Sequence, residues 1–376
     1  LYCSLQPPGA GTEGITSDQI RDLETHMRGL VLRNIPVERR KISYTEAVEH
    51  FEKSGQVHKL NLLKYRNPPH VVTHWCDGFS DLAHGPLVPG TGFLDSFKLL
   101  PYKPGFVLDL PSRESPRHLE PFEDQPHLFQ IFQEHKQWGK ILGVQTVGQL
   151  NALVAGDKIG DFIQIAEALH ERKLVRIADQ ISASATPIRV ILIAGPSCSG
   201  KTTFCKRLVT HLTVNGLSPV ALSTDDYFVG RESNPLDEDG KPDYEHVDAV
   251  DIELFNRDLL ALIQGNEIGV PRYNFEKQAR EYRGERMRIA GNQPVIIEGI
   301  HALNPKLTHM VPSTSKFRIY ISALAQLSVD SNNRLSTTDN RLMRRIVRDH
   351  KYRGHPALET LQLWSSVRRG EKRWIF

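Results

Sequence analysis

The chain has 376 residues, too many for one ordinary core, so two or three domains are expected. Hydrophobic residues make up 39 % and charged residues 24 %, the balance of a globular protein, and 47 basic against 44 acidic residues do not mark a nucleic-acid binder. Cys3, Cys76, Cys198 and Cys205 lack zinc spacing and are too few for a disulfide framework, and no apolar run approaches a membrane span, so the reading is of reduced thiols in a cytoplasmic protein.

The chain opens on Leu1 and not on Met, which leaves a preceding segment or targeting peptide open. Residues 1–15, rich in Pro, Gly and Thr, read as a loose lead-in. A helix follows, with Thr16 or Ser17 as cap and Ile20, Leu23, Met27 and Val31 at helical spacing. A second helix starts with Ser43 as cap and Glu46 three residues on, a capping box, with Ala47 and Phe51 on its apolar side. From His58 to Leu110, short apolar runs are broken by Asn-Pro-Pro, Asp-Gly, His-Gly-Pro and Pro-Gly, which predicts a β-rich segment. The proline-bearing stretch 111–126 reads as a boundary. Gln145–Ile181 reads as helical, with Ile163, Ala166, Leu169 and Leu174 as its buried stripe. From Ile188 the order is strand, Gly-rich turn, helix, strand, helix, strand, the pattern of a parallel α/β sheet. The expected partition is a smaller α+β domain over 1–115, a helical linker over 116–186, and a P-loop α/β domain with flanking helices over 187–376.

Val190–Ala194 is a continuous apolar run, as a strand buried on both faces requires. Gly195-Pro-Ser197-Cys198-Ser199-Gly200-Lys201-Thr202 follows it and fits G-x-x-x-x-G-K-[ST], and an amphipathic helix comes next, with Asn215-Gly216 as its stop. Backbone N–H groups of such a loop curl around phosphate oxygens, and the helix N-terminus adds partial positive charge. Lys201 can reach the β- and γ-phosphates of ATP, Thr202 can ligate Mg²⁺, and Thr203 extends the phosphate-facing turn. Cys198 within the loop reads as a small side chain at a free position in preference to a redox switch.

Ser223-Thr-Asp225-Asp-Tyr227-Phe follows a second short apolar run, so Asp225 lies at a strand's C-terminal end, on the ligand side of such a sheet. A carboxylate there can take the proton of an acceptor hydroxyl, and it is also what a turn or cap would use. Val295–Ile297 ends likewise in Glu298, which suits Mg²⁺ or a polar turn. Arg341, Arg345 and Arg348 share one helix face, opposite Leu342, Ile346 and Val347; they suit phosphates or a solvated basic face. Arg368, Arg369, Lys372 and Arg373 read as a solvated face.

The ordered set GPSCSGKT, STDDYF, DYEHVDAVD, VPRYNF, VIIEGIH and NRLMRRIVRD with RG beyond resembles the uridine kinase and phosphoribulokinase family over roughly 188–354. The resemblance implies a kinase that transfers the γ-phosphate of ATP to the 5′-hydroxyl of uridine or cytidine, with a catalytic role for Asp225, Lys201 and Arg345. It implies Thr202 and Glu298 beside the magnesium, and Tyr227, Tyr244 and Glu245 around the acceptor. Tyr273 and Phe275 are implied to line the base pocket, and Arg345, Arg348 and Arg353 to act as lid arginines. Three departures stand out: Glu245 replaces an aspartate, Gln278 stands where a histidine reads the base, and an insertion over about 324–339 precedes the arginine helix. A final strand and helix are expected beyond Phe376. A kinase of another small alcohol or sugar phosphate is the second reading.

Residues 17 to about 115 resemble the editing-type domain near the N-terminus of threonyl-tRNA synthetases, on Ile35-Pro-Val-Glu-Arg-Arg, the helix at Glu46, and Cys76-Asp-Gly-Phe-Ser-Asp-Leu-Ala-His-Gly-Pro-Leu-Val-Pro-Gly-Thr-Gly. Ala83 and Leu87 occupy the family's cysteine and histidine positions, so hydrolytic editing is expected to be lost. His70 and His74 lie four apart on a β-branched run, roughly 13 Å along a strand and too far to share a metal ion. An RNA-binding or nucleotide-sensing module is the third reading, weakened by the lack of a basic-aromatic patch. A small-molecule nucleoside is the expected partner, with no membrane; oligomeric state stays open.

Overall fold

The computed structural model describes every residue except 5–13, 67, 113–114, 238–239, 241, 275–276, 292, 326 and 375–376, with the backbone alone at 231 and 374. The chain divides into two compact units, Leu1–Ile159 with Gln326–Arg334, and Gly160–Ala325 with Leu335–Phe376.

In the first unit the elements run β1 (Tyr2–Cys3), α1 (Ser17–Leu32), β2 (Glu38–Ser43), α2 (Tyr44–Lys53), α3 (Val57–Leu63), β3 (His70–Cys76), β4 (Phe79–Asp81), β5 (Lys98–Tyr102), β6 (Gly105–Asp109), α4 (Pro126–Ile141) and α5 (Val147–Ala155). Two antiparallel sheets form, β2-β3-β4 and β1-β6-β5. Part of the expected loose lead-in is therefore a strand. Thr16 caps α1 through a reciprocal box with Gln19, and α1 buries Ile20 with Leu99 and Phe106. Ser43 caps α2 by accepting from the Glu46 N–H, and Ala47 and Phe51 pack with Leu62, Leu63, Val71 and Leu82. The expected β-rich segment opens with a helix, α3, which presents Leu62 and Leu63 to that core and needs no strand partner.

The second unit holds α6 (Ile159–Ser182), β7 (Val190–Ala194), α7 (Lys201–Val214), β8 (Val220–Ser223), α8 (Ile252–Ile263), β9 (Ile268–Asn274), β10 (Ala279–Met287), β11 (Val295–Glu298), β12 (Lys316–Tyr320), α9 (Thr337–Arg353) and α10 (Ala357–Trp374). Its main sheet is wholly parallel, in the order β12-β7-β11-β8. Alternate residues face alternate layers. Val190, Leu192, Val295 and Ile297 meet Phe255, Leu259 and Leu262 of α8, while Ile191, Ile193 and Ile296 meet Leu174, Ala178 and Ile181 of α6 and Phe204, Leu208 and Leu212 of α7. β9 and β10 form a separate hairpin.

Three expectations change. The 116–186 segment is no separate linker, because α4 and α5 belong to the first unit and nearly all of α6 to the second. The buried stripe of α6 is Leu174, Ala178 and Ile181, at i, i+4 and i+7; Ile163 and Ala166 are exposed, because only the C-terminal half of α6 packs on the sheet core. Most of the expected insertion belongs to the first unit: Val147 donates to the Ser328 carbonyl at 2.9 Å, and Asn333 Nδ2 to Asp81 Oδ1 at 3.1 Å. α9 starts inside the expected stretch, at Thr337, capped by Ser336.

Candidate active site

The site is assembled at the C-terminal edge of the parallel sheet. β11 lies between β7 and β8, in a register that pairs Glu298 with Ile193 on one side and with Ser223 on the other. The chain turns after each of these residues, so the phosphate loop, Asp225 and Glu298 converge at that edge, where such sheets take ligands.

The loop leaves β7 at Gly195, where a Cβ would lie 2.2 Å from the Ile321 carbonyl oxygen, so only glycine fits between β7 and the chain leaving β12. Cys198 is held at φ +59°, and Gly200, the N-cap of α7, is also left-handed. Left-handed turns of this kind fold successive N–H groups toward one point. Lys201 Nζ donates to the carbonyls of Gly195 and Pro196, at 2.9 and 3.3 Å. Ser199 is buried with its hydroxyl unpartnered among the described residues. Thr202 and Thr203 are exposed on the first turn of α7.

Thr202 Oγ1 donates to Glu298 Oε1 at 2.5 Å. Burial pushes the Glu298 carboxyl up, and the nearby charge of Asp225 adds to that; Thr202 and Lys201 oppose it. Asp225 sits in a short turn whose Ser223 hydroxyl accepts from its N–H at 3.3 Å. Its neighbour Asp226 is turned to the hairpin, accepting from Arg272 at 2.9 Å and from the Tyr273 N–H at 3.4 Å. Glu245 stands within 4.0 Å of Arg345, and its side chain is 15 % exposed. Burial pushes its pKa to about 7; Arg345 and Lys201 pull it down, while Glu371 and Asp225 push it up. Those groups feel one another, and the field of Asp225 also reaches Arg353.

Tyr244 and Tyr273 flank Phe228, with ring centroids at 6.2 and 5.5 Å from it. Gln278 is held at φ +50° in the turn of the hairpin, and its buried Oε1 has no partner among the described residues. Phe275 lies outside the described residues. Tyr227 is a correction: it is fully buried, packs edge-on against Phe255, and donates to Asp258 at 3.3 Å, so it is a core residue and not an acceptor contact.

The arginine helix reverses the expected polarity. Arg341 and Arg345 are 2 % and 8 % exposed, whereas Val347 and Met343 are 64 % and 55 % exposed. The charged face points inward because its partners are there. Arg345 and Arg348 donate to Ser197 Oγ at 3.1 and 3.5 Å, and Arg344 to the Cys198 carbonyl at 3.0 Å. A solvated basic face is thereby excluded. Asp349, not singled out in the sequence, is the hub that makes this tolerable: it lies within 3.3 Å of Arg345, 2.6 Å of Arg348 and 4.0 Å of Arg353. Burial raises its carboxyl, but Arg348 and Arg345 outweigh burial and hold it below the usual range. Its spacing, i+4 from Arg345 and i−4 from Arg353, was the available signal. Arg368 is no free surface charge either, since it pairs with the buried Glu371 at 2.8 Å. His301 is 1 % exposed, and burial pushes it down to about 4, leaving a neutral imidazole near Glu245 and His246.

A phosphate loop between a parallel strand and a helix, with Glu298 closing the adjacent strand β11 and Asp225 just past the end of β8 beyond it, defines a P-loop nucleotide-binding fold. Residues 190–375 fit the sequence profile of the phosphoribulokinase / uridine kinase family. A uridine kinase from Leuconostoc citreum (strain KM20) is 31 % identical over 165 residues, 44 % of this chain and 70 % of that one. This chain belongs to the phosphoribulokinase and uridine kinase family. A threonine–tRNA ligase from Carboxydothermus hydrogenoformans is 35 % identical over 89 residues of the N-terminal region, 23 % of this chain and only 14 % of the ligase's length. The solved structure of a possible uridine kinase from Bacillus stearothermophilus covers 40 % of this chain and 79 % of its own, at 23 % identity and TM-score 0.34. Among the described residues, no helix is long and apolar enough to cross a membrane.

Proposed function

We propose that the second unit phosphorylates the 5′-hydroxyl of a pyrimidine nucleoside, uridine or cytidine, with ATP, a salvage reaction of the cytoplasm. The observation that carries this is the convergence of Asp225, the phosphate loop and Glu298 on one sheet edge. In the reaction the acceptor oxygen gives its proton to Asp225 and attacks the γ-phosphorus, and the bond to the bridging oxygen breaks to leave ADP. Arg345 and Arg348, already turned onto Ser197, are placed to meet charge on the transferring group. The Thr202 hydroxyl and Glu298 carboxylate are hard oxygen donors in mutual contact, a set that fits Mg²⁺ with phosphate oxygens completing its shell. Bound there, the ion would neutralise charge on the β- and γ-phosphates. Glu245 and Tyr244 suit hydroxyl groups of the acceptor, and the unpartnered Gln278 amide suits its polar edge.

Gln278 and Glu245 also favour a second acceptor class, a small alcohol or sugar phosphate, since neither is the residue a pyrimidine kinase is expected to use there. The first unit, with Ala83 and Leu87 at the hydrolytic positions, is read as lacking editing chemistry. ADP release from MgATP across nucleosides, sugars and sugar phosphates decides between the acceptors. Turnover of uridine or cytidine that vanishes in Asp225→Ala and Lys201→Ala supports the first. Turnover of a sugar phosphate alone replaces it, and ATP binding without any turnover leaves a nucleotide sensor.

A further inference from the structure

In its last two turns α10 carries two adjacent buried residues, one set against the phosphate loop and the other against Glu245. Glu371 is 0 % exposed, and its Oε1 accepts from the Ser197 N–H at 3.2 Å and from the Arg341 guanidinium. Arg341 in turn donates from Nε to the Ser197 carbonyl at 3.2 Å. Both polar groups of one phosphate-loop residue are thus held by one ion pair. Arg368 binds the other oxygen of Glu371 at 2.8 Å, and the Trp364 ring lies 5.4 Å from the Arg341 guanidinium. Next to Glu371, Gly370 faces Glu245: a Cβ at Gly370 would stand 2.4 Å from the Glu245 Cβ.

A buried ion pair is a poor way to hold two helices together, because apolar residues of the same volume usually do as well or better. What an apolar pair cannot supply is directed hydrogen bonds to a loop N–H and a loop carbonyl at once. The loop is the part of the site whose amides must point at one place. The pair spans α9 and α10, so the two helices and the loop are fixed by a single contact.

We propose that Glu371 is a positioning residue: with Arg341 it clamps Ser197 and sets the curl of the phosphate loop for nucleotide, while Gly370 sets the depth of Glu245 on the acceptor side. This rests on the kinase reading for the identity of the ligands. Glu371 touches no reacting atom and acts through Ser197 and Arg341.

The test pairs opposite effects from neighbouring residues, using a fluorescent MgADP analogue for binding and uridine for turnover. In the double variant Arg341→Met/Glu371→Leu the thermal midpoint stays near that of the wild type, while the analogue binds about tenfold more weakly. In Gly370→Ala the analogue binds as in the wild type, while KM for uridine rises. A merely structural role predicts lost midpoint with unchanged affinity in the folded protein. Should the double variant fold badly, Glu371→Gln keeps an acceptor for the Ser197 N–H but loses the charge, and severalfold weaker binding is expected. Wild-type affinity in a folded double variant, or in Glu371→Gln when the double variant misfolds, overturns the proposal. If the wild type binds the analogue but phosphorylates no nucleoside, the acceptor assignment fails and the binding arm still decides the clamp. If the wild type binds no nucleotide, both fall.

Discussion

The two units bury polar groups to different ends. In the first, Lys59 is 1 % exposed and sits 2.6 Å from Asp81; the Thr91 hydroxyl accepts from the Ile35 N–H and donates to the Leu30 carbonyl; Ser80 meets His50. Buried side-chain atoms without a hydrogen-bond partner among the described residues occur in both units, His58 and His74 in the first among them, but in the second they include Ser199, Glu245 and Gln278, which belong to the candidate site. Leaving a buried polar atom unpaired costs on the order of 1–3 kcal/mol. Satisfied polar burial specifies a fold; unsatisfied polar burial gathered at a sheet edge marks where a ligand completes the set.

The largest expected effect lies in the second unit. Asp225→Ala is expected to lower kcat by roughly 10²–10⁴ with little change in stability, because the residue is half-buried and its proposed role is proton transfer. Equal loss of kcat and thermal midpoint would make Asp225 a turn residue. The first unit is expected to respond the other way. Lys59→Ala removes one partner of the Asp81 carboxylate, which keeps the Leu82 N–H and the Asn333 amide, and should cost about 1–3 kcal/mol in denaturant unfolding. Lys59→Met/Asp81→Leu should recover most of it, and a double variant as unstable as the single would show that the pair does more than satisfy itself.

Glu245 sharpens the contrast, since its removal should stabilise. Its folded pKa of about 7 exceeds its ordinary value of 4.5, so the folded state holds the proton more tightly. That contribution is complete below about pH 4.5, is lost as pH rises through about 7, and is constant above. Glu245→Gln should therefore flatten the fall in stability between pH 4.5 and 7 and gain on the order of 2 kcal/mol at pH 8, while weakening acceptor binding. A pH profile of unfolding identical to that of the wild type would remove Glu245 from the unsatisfied set. The smallest effect is at Ser43, whose replacement by Ala should cost about 1 kcal/mol through the lost cap of α2. A neutral result would mean that α2 is held by Phe51 and Ala47 alone.

Much of the site was legible in the chain because its parts are local. The phosphate loop needs one strand end, a run of amides and one helix start, all contiguous, and β7, Gly195–Thr202 and α7 supply them in order. Asp225 and Glu298 were visible as carboxylates closing short apolar runs, because a strand's end fixes the side of the sheet it serves. The arginine helix was legible as a helix but not in its orientation. Leu342, Ile346 and Val347 suggested the inner face; the inner face is Arg341, Arg345 and Asp349.

By itself, then, the sequence determined the phosphate loop, the parallel α/β order, the kinase family and the synthetase-like region, since each rests on short-range pattern or on motifs in a fixed order. The tertiary structure alone decided which charges are buried. Arg341 is stable inside because Glu371, 30 residues away, and Ser197, 144 residues away, come to meet it. Periodicity measures the apolar face of one element, and it carries no information about a counter-charge that another element brings.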